Sequence, residues 1–393
     1  MTQGSTFALH ALKVRGLLSF GDEAVFEFGR LNILVGPNGS GKSNLIDCLR
    51  IFKNCTLDVQ ETFKDAGFEE WLFRSGSDDS PASIEVHVEL PKVDNLVRHR
   101  LDLGPPLRSL AQIDETIENA DGHRRPYFYL FDGRAIVAYL DPDSETHRWR
   151  MLEEDEYRPH QSIVAQLRDV QRYPEITRLA DLYSNWRVYS EWSFGRKSYL
   201  RESTPTDRAD THLSEAMDNL ALVLNGLQGT SAHEKIQSLL RDLKDSYRDY
   251  FTRIVFGRVG LELKEAPFDR LLPAKRLSDG TLRFLALAAI LLHPKPPPLI
   301  CLEEPELGMH PDMIRLVANM IIEASQRTQL IVTTHSEHLL TALEDDFDAL
   351  FSFDTGLNGS FVRRLGRDGF QEWKSEHRLG ELWTSGEIGG NRW

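Results

Sequence analysis

Residues 36–43 read Gly36-Pro37-Asn38-Gly39-Ser40-Gly41-Lys42-Ser43, the pattern G-x-x-x-x-G-K-[ST]. No other stretch constrains the fold as tightly. Glycines let backbone N–H groups turn inward onto phosphate oxygens, and a helix that begins at once adds its positive dipole end. Both flanks comply. Leu31-Asn32-Ile33-Leu34-Val35 reads as a buried strand, and Ser43 to Phe52 carries apolar residues at 45, 46, 49 and 52, which is helical spacing. The chain must therefore build an α/β layer with this loop at a strand end. In such a layer Lys42 bridges the β- and γ-phosphates of ATP and Ser43 ligates Mg2+. Gly36, Pro37, Asn38, Gly39, Ser40, Gly41 and Asn44 complete the expected cradle.

A second strand, Leu299-Ile300-Cys301-Leu302, runs into Glu303-Glu304-Pro305-Glu306. A nucleoside triphosphatase needs one carboxylate near Mg2+ and another to position or deprotonate the attacking water. Neighbouring residues at a strand end face opposite sides, so Glu303 fits the metal and Glu304 the water. Leu277-Ser278-Asp279-Gly280-Thr281 opens an apolar helix 26 residues before Glu304. Ser278, Asp279 and Gly280 there read either as a plain helix cap or as an anion site. Thr334-His335-Ser336 ends a third strand, with His335 31 residues beyond Glu304. His310, before a Pro-started helix, reads equally as a cap or as part of a functional loop.

Around these motifs the pattern predicts strands at 12–14, 24–28 and 83–90 and a hairpin at 127–139 turning on Asp132-Gly133. Residues 1–152 are taken as an N-terminal lobe with an antiparallel β subdomain. Residues 153–252 are taken as a helical insertion, with helices at 163–182, 213–227 and 232–251. Residues 253–393 are taken as a C-terminal lobe: strands at 253–263, 299–302, 329–333, 349–353 and 361–365, helices at 281–292, 311–325 and 337–343. The tail from Leu379 to Trp393 docks on a partner or folds back; the pattern leaves both open.

Acidic residues outnumber basic ones, 60 to 46, for a net charge of −14. The surface as a whole repels nucleic acid, so any such contact needs a local basic patch or a partner. Arg124-Arg125, Arg148-Trp149-Arg150, Trp192 to Lys197 and Arg363-Arg364 are basic spots, several with aromatic neighbours that could stack bases; solvated charge near core aromatics is the favoured reading of each, and Lys275-Arg276 reads as local electrostatics beside phosphate. Three cysteines, Cys48, Cys55 and Cys301, have no metal-ligand spacing. No apolar run approaches the roughly 18 residues of a membrane helix and no export signal opens the chain, so a cytoplasmic protein without membrane contact is expected.

Phosphate loop, L-S-x-G, acidic strand and T-H-S, in this order, resemble ABC-type ATPases. The opening Leu12-Lys13-Val14-Arg15-Gly16-Leu17-Leu18-Ser19-Phe20, with Asn32 to Asn44, is similar to the N-terminal lobe of the RecF/SMC-like branch. Glu303-Glu304-Pro305-Glu306 and Thr334-His335-Ser336 resemble the bacterial RecF-like and OLD-type ATPases of phage-defence operons, and Leu213 to Leu224 looks like their pre-signature helices. The resemblance implies a P-loop ABC-ATPase head: a mixed or parallel sheet flanked by helices, an antiparallel β subdomain and an inserted helical region. It implies an ATPase that forms a head-to-tail homodimer, or a higher oligomer, around ATP. Ser278 and Gly280 of one head would then reach the γ-phosphate held by the other, and His335 would act as the switch residue. The 58 residues after His335 are too few for the Toprim nuclease domain of OLD-type relatives, so a separate nuclease-like or other toxic effector subunit is expected. DNA or RNA would be reached directly or through that partner. Three departures stand out: Glu303 where such ATPases usually carry Asp, LSDGT in place of LSGGQ, and no clear Gln-loop, Gln60 being a weak candidate.

Two rival classes fit the same motifs. One is a slow-hydrolysing scaffold whose closed dimer positions a partner protein. The other is a transporter ATPase subunit, which the atypical signature and the long insertion between Lys42 and Ser278 disfavour.

Overall fold

A computed structural model describes residues 8–64, 67–73, 82–107, 110–122, 125–131, 133–144, 146–193, 195–209, 211–267, 271–366 and 378–387. Arg124, Asp132 and residues 388–393, which enter the expectations above, lie outside the described residues. The chain forms two compact units: residues 1–186, 348–371 and 386–393, and residues 187–347 and 372–385.

The first unit opens with β1 (Leu9–Arg15), β2 (Ala24–Glu27), β3 (Leu31–Val35) and α1 (Lys42–Asn54). Then come β4 (Ala82–Val88), β5 (Val97–Leu107), β6 (Leu110–Asn119), β7 (Phe128–Phe131), β8 (Arg134–Leu140) and β9 (His147–Met151). Apart from β3, these strands make an eight-stranded sheet ordered β2-β1-β4-β5-β6-β7-β8-β9, every described pair antiparallel. Period-two alternation at 83–90 gave this sheet away, since one face is covered and the other wet. Helices α2 (Ile163–Gln166) and α3 (Pro174–Ser184) follow. A buried knot ties this unit together: His99 donates or accepts between Glu115 Oε1 at 2.8 Å and Tyr183 Oη at 3.1 Å, and Ser162 Oγ donates to Glu115 at 2.6 Å.

The second unit contains β10 (Arg187–Tyr189), β11 (Thr204–Pro205), α4 (Leu220–Leu227), α5 (Ser231–Leu243), β12 (Tyr247–Val255), β13 (Arg258–Glu265) and β14 (Leu272–Pro273). It continues with α6 (Asp279–Leu291), β15 (Leu299–Glu303), α7 (Pro311–Ser325), β16 (Gln329–Thr333) and α8 (Glu337–Leu343). Strands β10, β15 and β16 are parallel neighbours. β11 to β14 form a small antiparallel sheet. The chain then returns to the first unit with β17 (Ala349–Gly356) and β18 (Gly359–Gly366), and α9 (Leu379–Ser385) ends the second.

In the first unit β17 lies parallel to β3, Ala349 opposite Asn32, and antiparallel to β18. Asp348 fastens this late strand to the early one. Its Oδ2 accepts from the N–H groups of Arg30 at 2.8 Å and Leu31 at 3.0 Å, across 317 residues of sequence in the second case.

Residues 153–252 are mixed rather than helical. The helix expected at 163–182 is two, because Pro174 starts a new one at its first turn. The one expected from 213 starts at Leu220: Asn219 binds Ser214 N–H and the carbonyls of Ala209 and His212, which holds the preceding loop. The one expected to 251 stops at Leu243. Tyr247-Arg248-Asp249-Tyr250-Phe251-Thr252 is rich in aromatic and β-branched residues and enters the sheet as β12. The strand expected at 253–263 is two arms of one hairpin turning at Phe256-Gly257. Three-residue β10 was too short to be seen as a strand. Cys48, Cys55 and Cys301 are buried free thiols. Among the described residues no helix is long and apolar enough to cross a membrane.

Candidate active site

In the first unit, fully buried β3 delivers the chain to the phosphate loop, and α1 starts at Lys42 with no acidic side chain in its first turn. The positive end of that helix is thus left for a ligand. Gly41 stands at the cap position with φ +103°, and a Cβ there would overlap the hydroxyls of Ser19 and Ser360. A Cβ on Gly36 would meet Ser40 Oγ at 2.6 Å and Phe353 O at 2.7 Å. Behind the loop, Ser360 Oγ donates to Ser40 O at 2.7 Å and bonds Ser19 Oγ at 2.6 Å, while Asn44 donates to Ser19 Oγ at 2.7 Å. Lys42 Nζ donates to Gly36 O at 2.7 Å and Pro37 O at 2.9 Å, so the amine lies over the loop that would hold the phosphates. Asn38, Gly39 and Ser43 are exposed. Ser40 Oγ is buried without a hydrogen-bond partner among the described residues. A cradle of this kind fits a polyphosphate.

The acidic strand end belongs to the second unit. Glu303 closes β15, opposite Thr333 of β16. Glu304 then takes φ +44°, a left-handed backbone that a side-chain-bearing residue seldom adopts. Its N–H donates to Thr333 O and Thr333 Oγ1, both at 3.1 Å. Its carbonyl accepts from Arg283, which also donates to Leu307 O, each at 2.5 Å. Arg283 is buried and stacks over Trp192 at 4.1 Å, and Trp192 Nε1 donates to Glu303 O at 2.7 Å. Burial pulls the Arg283 guanidinium down to about 9, against the opposing pull of Glu306 and Glu304. Trp192 is therefore a strut under the bend rather than a surface stacking platform.

The bend sets the Glu304 carboxylate, one-third exposed, 3.5 Å from His335 Nε2. His335 follows β16, and the Glu306 carboxylate beneath it accepts from Thr334 Oγ1 at 2.5 Å and His335 N–H at 3.2 Å. Burial pushes the Glu306 carboxyl above its ordinary value, and nearby Glu304 adds to that; the bonds from Thr334 and His335 hold it back. Ser336 caps α8 through Leu339 N–H. Helix α9 of the tail folds back onto its own unit: it packs on α8, Leu379 N–H reaches Glu344, Thr384 reaches Glu337, and the Trp383 ring lies 6.4 Å from that of His335.

Ser278 caps α6, accepting from Thr281 N–H at 3.1 Å, and its own surface remains exposed. The cap reading is thus met by the local geometry. Asp279 is held by Arg201 at 2.6 Å and by Gly195 N–H at 3.1 Å. A Cβ on Gly280 would find only ordinary contacts, the nearest at 3.6 Å. His310 caps α7 and is largely exposed. In the first unit, Gln60 donates its amide to His160 O at 3.0 Å. Of the basic spots, Arg125 stacks on Trp149 and Lys275 pairs with Glu202.

Sequence reasoning missed Arg201, Arg283 and Ser360, which belong to no contiguous motif, and gave no role to Ser19, within the 12–20 stretch, or to Glu306.

Fold and motifs together define a P-loop ATPase head of the SMC/RecF type: mixed and parallel sheet flanked by helices, with an antiparallel β subdomain. Residues 31–341 match the family described as "AAA domain, putative AbiEii toxin, Type IV TA system", and the chain belongs to that family of AAA ATPases. A 102-residue stretch, 24% of the chain, is 34% identical to the chromosome partition protein Smc of Fusobacterium nucleatum subsp. nucleatum, covering 8% of it; the chain thus matches under a tenth of that curated relative. Two solved structures share the fold. One is an SMC head bound to the C-winged helix domain of ScpA, with TM-score 0.58, 16% identity, and coverage of 93% of this chain and 99% of that one. The other is an SMC head with an extended coiled coil bound to the C-terminal domain of ScpA, from Pyrococcus furiosus, with TM-score 0.57, 15% identity, and coverage of 94% and 99%.

Proposed function

We propose that the chain is an ATP-hydrolysing head that closes on a second copy of itself around Mg-ATP and thereby gates a separate effector acting on DNA, in phage defence or genome maintenance. The observation that carries the hydrolytic part is Glu304, bent into a left-handed conformation by bonds at both its N–H and its carbonyl, with its carboxylate beside His335. Strain of this kind persists where surroundings enforce it, and it accompanies function. Glu304 takes the proton of the attacking water; His335 orients the γ-phosphate and that water. Lys42 and the backbone from Gly36 to Asn44 bind the triphosphate. Mg2+, held by Ser43 and Glu303, would neutralise charge on the phosphates. The extra methylene of Glu303, relative to Asp, suits contact through a water. Ser278 and Gly280 close over the nucleotide of the second copy.

A partner protein is supported by the ScpA-bound heads that share the fold, and a toxin-linked output by the family's description. The decisive measurement is ATP turnover. Glu304→Gln is expected to keep nucleotide binding while losing about 10²–10⁴-fold in rate, the usual worth of a positioned base. Lys42→Ala is expected to lose binding itself. Equal slow rates for wild type and Glu304→Gln would instead support the nucleotide-dependent scaffold. A pull-down without a stable partner, together with unchanged phage sensitivity on deletion, would remove the effector and defence parts.

A further inference from the structure

The signature loop carries an acid where an anion is expected. Asp279 is the first residue of α6, beside Ser278 and Gly280, and a free carboxylate there would repel a triphosphate. In this structure both its oxygens are bonded, while 39% of its side chain stays exposed. Arg201 Nη2 donates to its Oδ1 at 2.6 Å, and Gly195 N–H donates to its Oδ2 at 3.1 Å. Arg201 is itself nearly buried, with 9% of its side chain exposed. Its Nη1 donates to Leu277 O at 2.7 Å and Ala274 O at 3.1 Å, and its Nε donates to Gly195 O at 2.9 Å. One guanidinium thus neutralises the misplaced charge and gathers two carbonyls of the approach to the helix, whose partial negative charges would also oppose an anion.

We infer that Arg201 is a positioning residue for head closure: it clamps Asp279 and the Ala274–Leu277 carbonyls so that the 278–280 edge presents the Ser278 hydroxyl and helix N–H groups to the triphosphate held by a second copy. This rests on the closure proposed above. None of the clamp residues Gly195, Arg201, Ala274, Leu277 and Asp279 belongs to the phosphate loop Gly36–Ser43. Nucleotide binding by a single copy should therefore be untouched by its loss.

The test is Mg-ATP-dependent self-association by sedimentation, in a Glu304→Gln background that holds off hydrolysis, with binding of a fluorescent ATP analogue read in parallel. Arg201→Ala is expected to weaken association about tenfold or more, as losing one partner of a hydrogen-bonded charge pair does. Analogue affinity should stay within about twofold. The defect should shrink as salt screens the freed carboxylate. Adding Asp279→Asn should restore most of the association, because the charge that needed clamping is gone. Asp279→Asn alone should associate at least as well as its parent, and this arm stands even if Arg201→Ala does not fold. A double variant as weak as Arg201→Ala, or a tenfold loss from Asp279→Asn alone, overturns the clamp while leaving closure intact. A parent that stays monomeric at saturating Mg-ATP overturns closure, and the clamp with it.

Discussion

Glu306 lies under His335 with its carboxyl almost wholly out of water, bound by Thr334 Oγ1 and the His335 N–H. Its raised pKa means the fold disfavours its ionisation. Its contribution to stability is fully present below the ordinary carboxylate value and is lost as pH rises through the raised one. Glu306→Gln keeps an oxygen for both donors and carries no charge. Its thermal midpoint should match wild type in acid and exceed it increasingly toward alkaline pH. Glu306→Ala strands both donors and should cost about 1–3 kcal/mol at any pH. What was legible at this scale was whatever lies contiguous in a motif: Lys42, Glu304, His335, Ser278. What was not legible are their supports, because a strand end fixes where a carboxylate sits without saying what holds it there. Arg201 reaches Asp279 across 78 residues, and Arg283 reaches Glu304 across 21.

Strand β4 shows how an element can carry a buried charge. Glu85 has Lys13 of β1 at 3.0 Å, His87 of its own strand at 2.7 Å, and Arg98 and Arg100 of β5 each at 3.8 Å. Burial pushes its carboxyl up, but His87, Lys13 and Arg98 together bring it down to about 2. The stability it adds is fully present above its ordinary value of 4.5 and disappears as pH falls through about 2. Glu85→Gln should flatten that acid slope and cost about 1–3 kcal/mol at neutral pH, read from urea midpoints at several pH values. In the phosphate loop, Gly41→Ala combines a left-handed backbone with overlap on two hydroxyls. It should lose nucleotide binding and about 2–4 kcal/mol of stability by thermal melting. Long apolar-patterned elements such as α1, α6 and α7 were legible in their period. Residues 247–251 were not, because a short amphipathic stretch satisfies helix and strand templates alike and pairing with β13 decides.

Over the whole molecule, the α/β head with an attached antiparallel sheet followed from the order of motifs, whereas the division into two compact units did not: it depends on long-range pairing that no local pattern reports. If the head binds Mg-ATP as proposed, nucleotide at a hundredfold excess over Kd should add about 2.7 kcal/mol. The melting transition of wild type should rise accordingly, and that of Lys42→Ala should not move. Timing follows from the strand that Asp348 fastens. On the ribosome, β3 emerges some three hundred residues before β17, the neighbour that lines its loop through Phe353. Nascent chains arrested short of β17 would leave the loop without that wall, and capture on ATP-agarose should begin only once Phe353 has cleared the exit tunnel, so translation itself would withhold nucleotide from a half-made head.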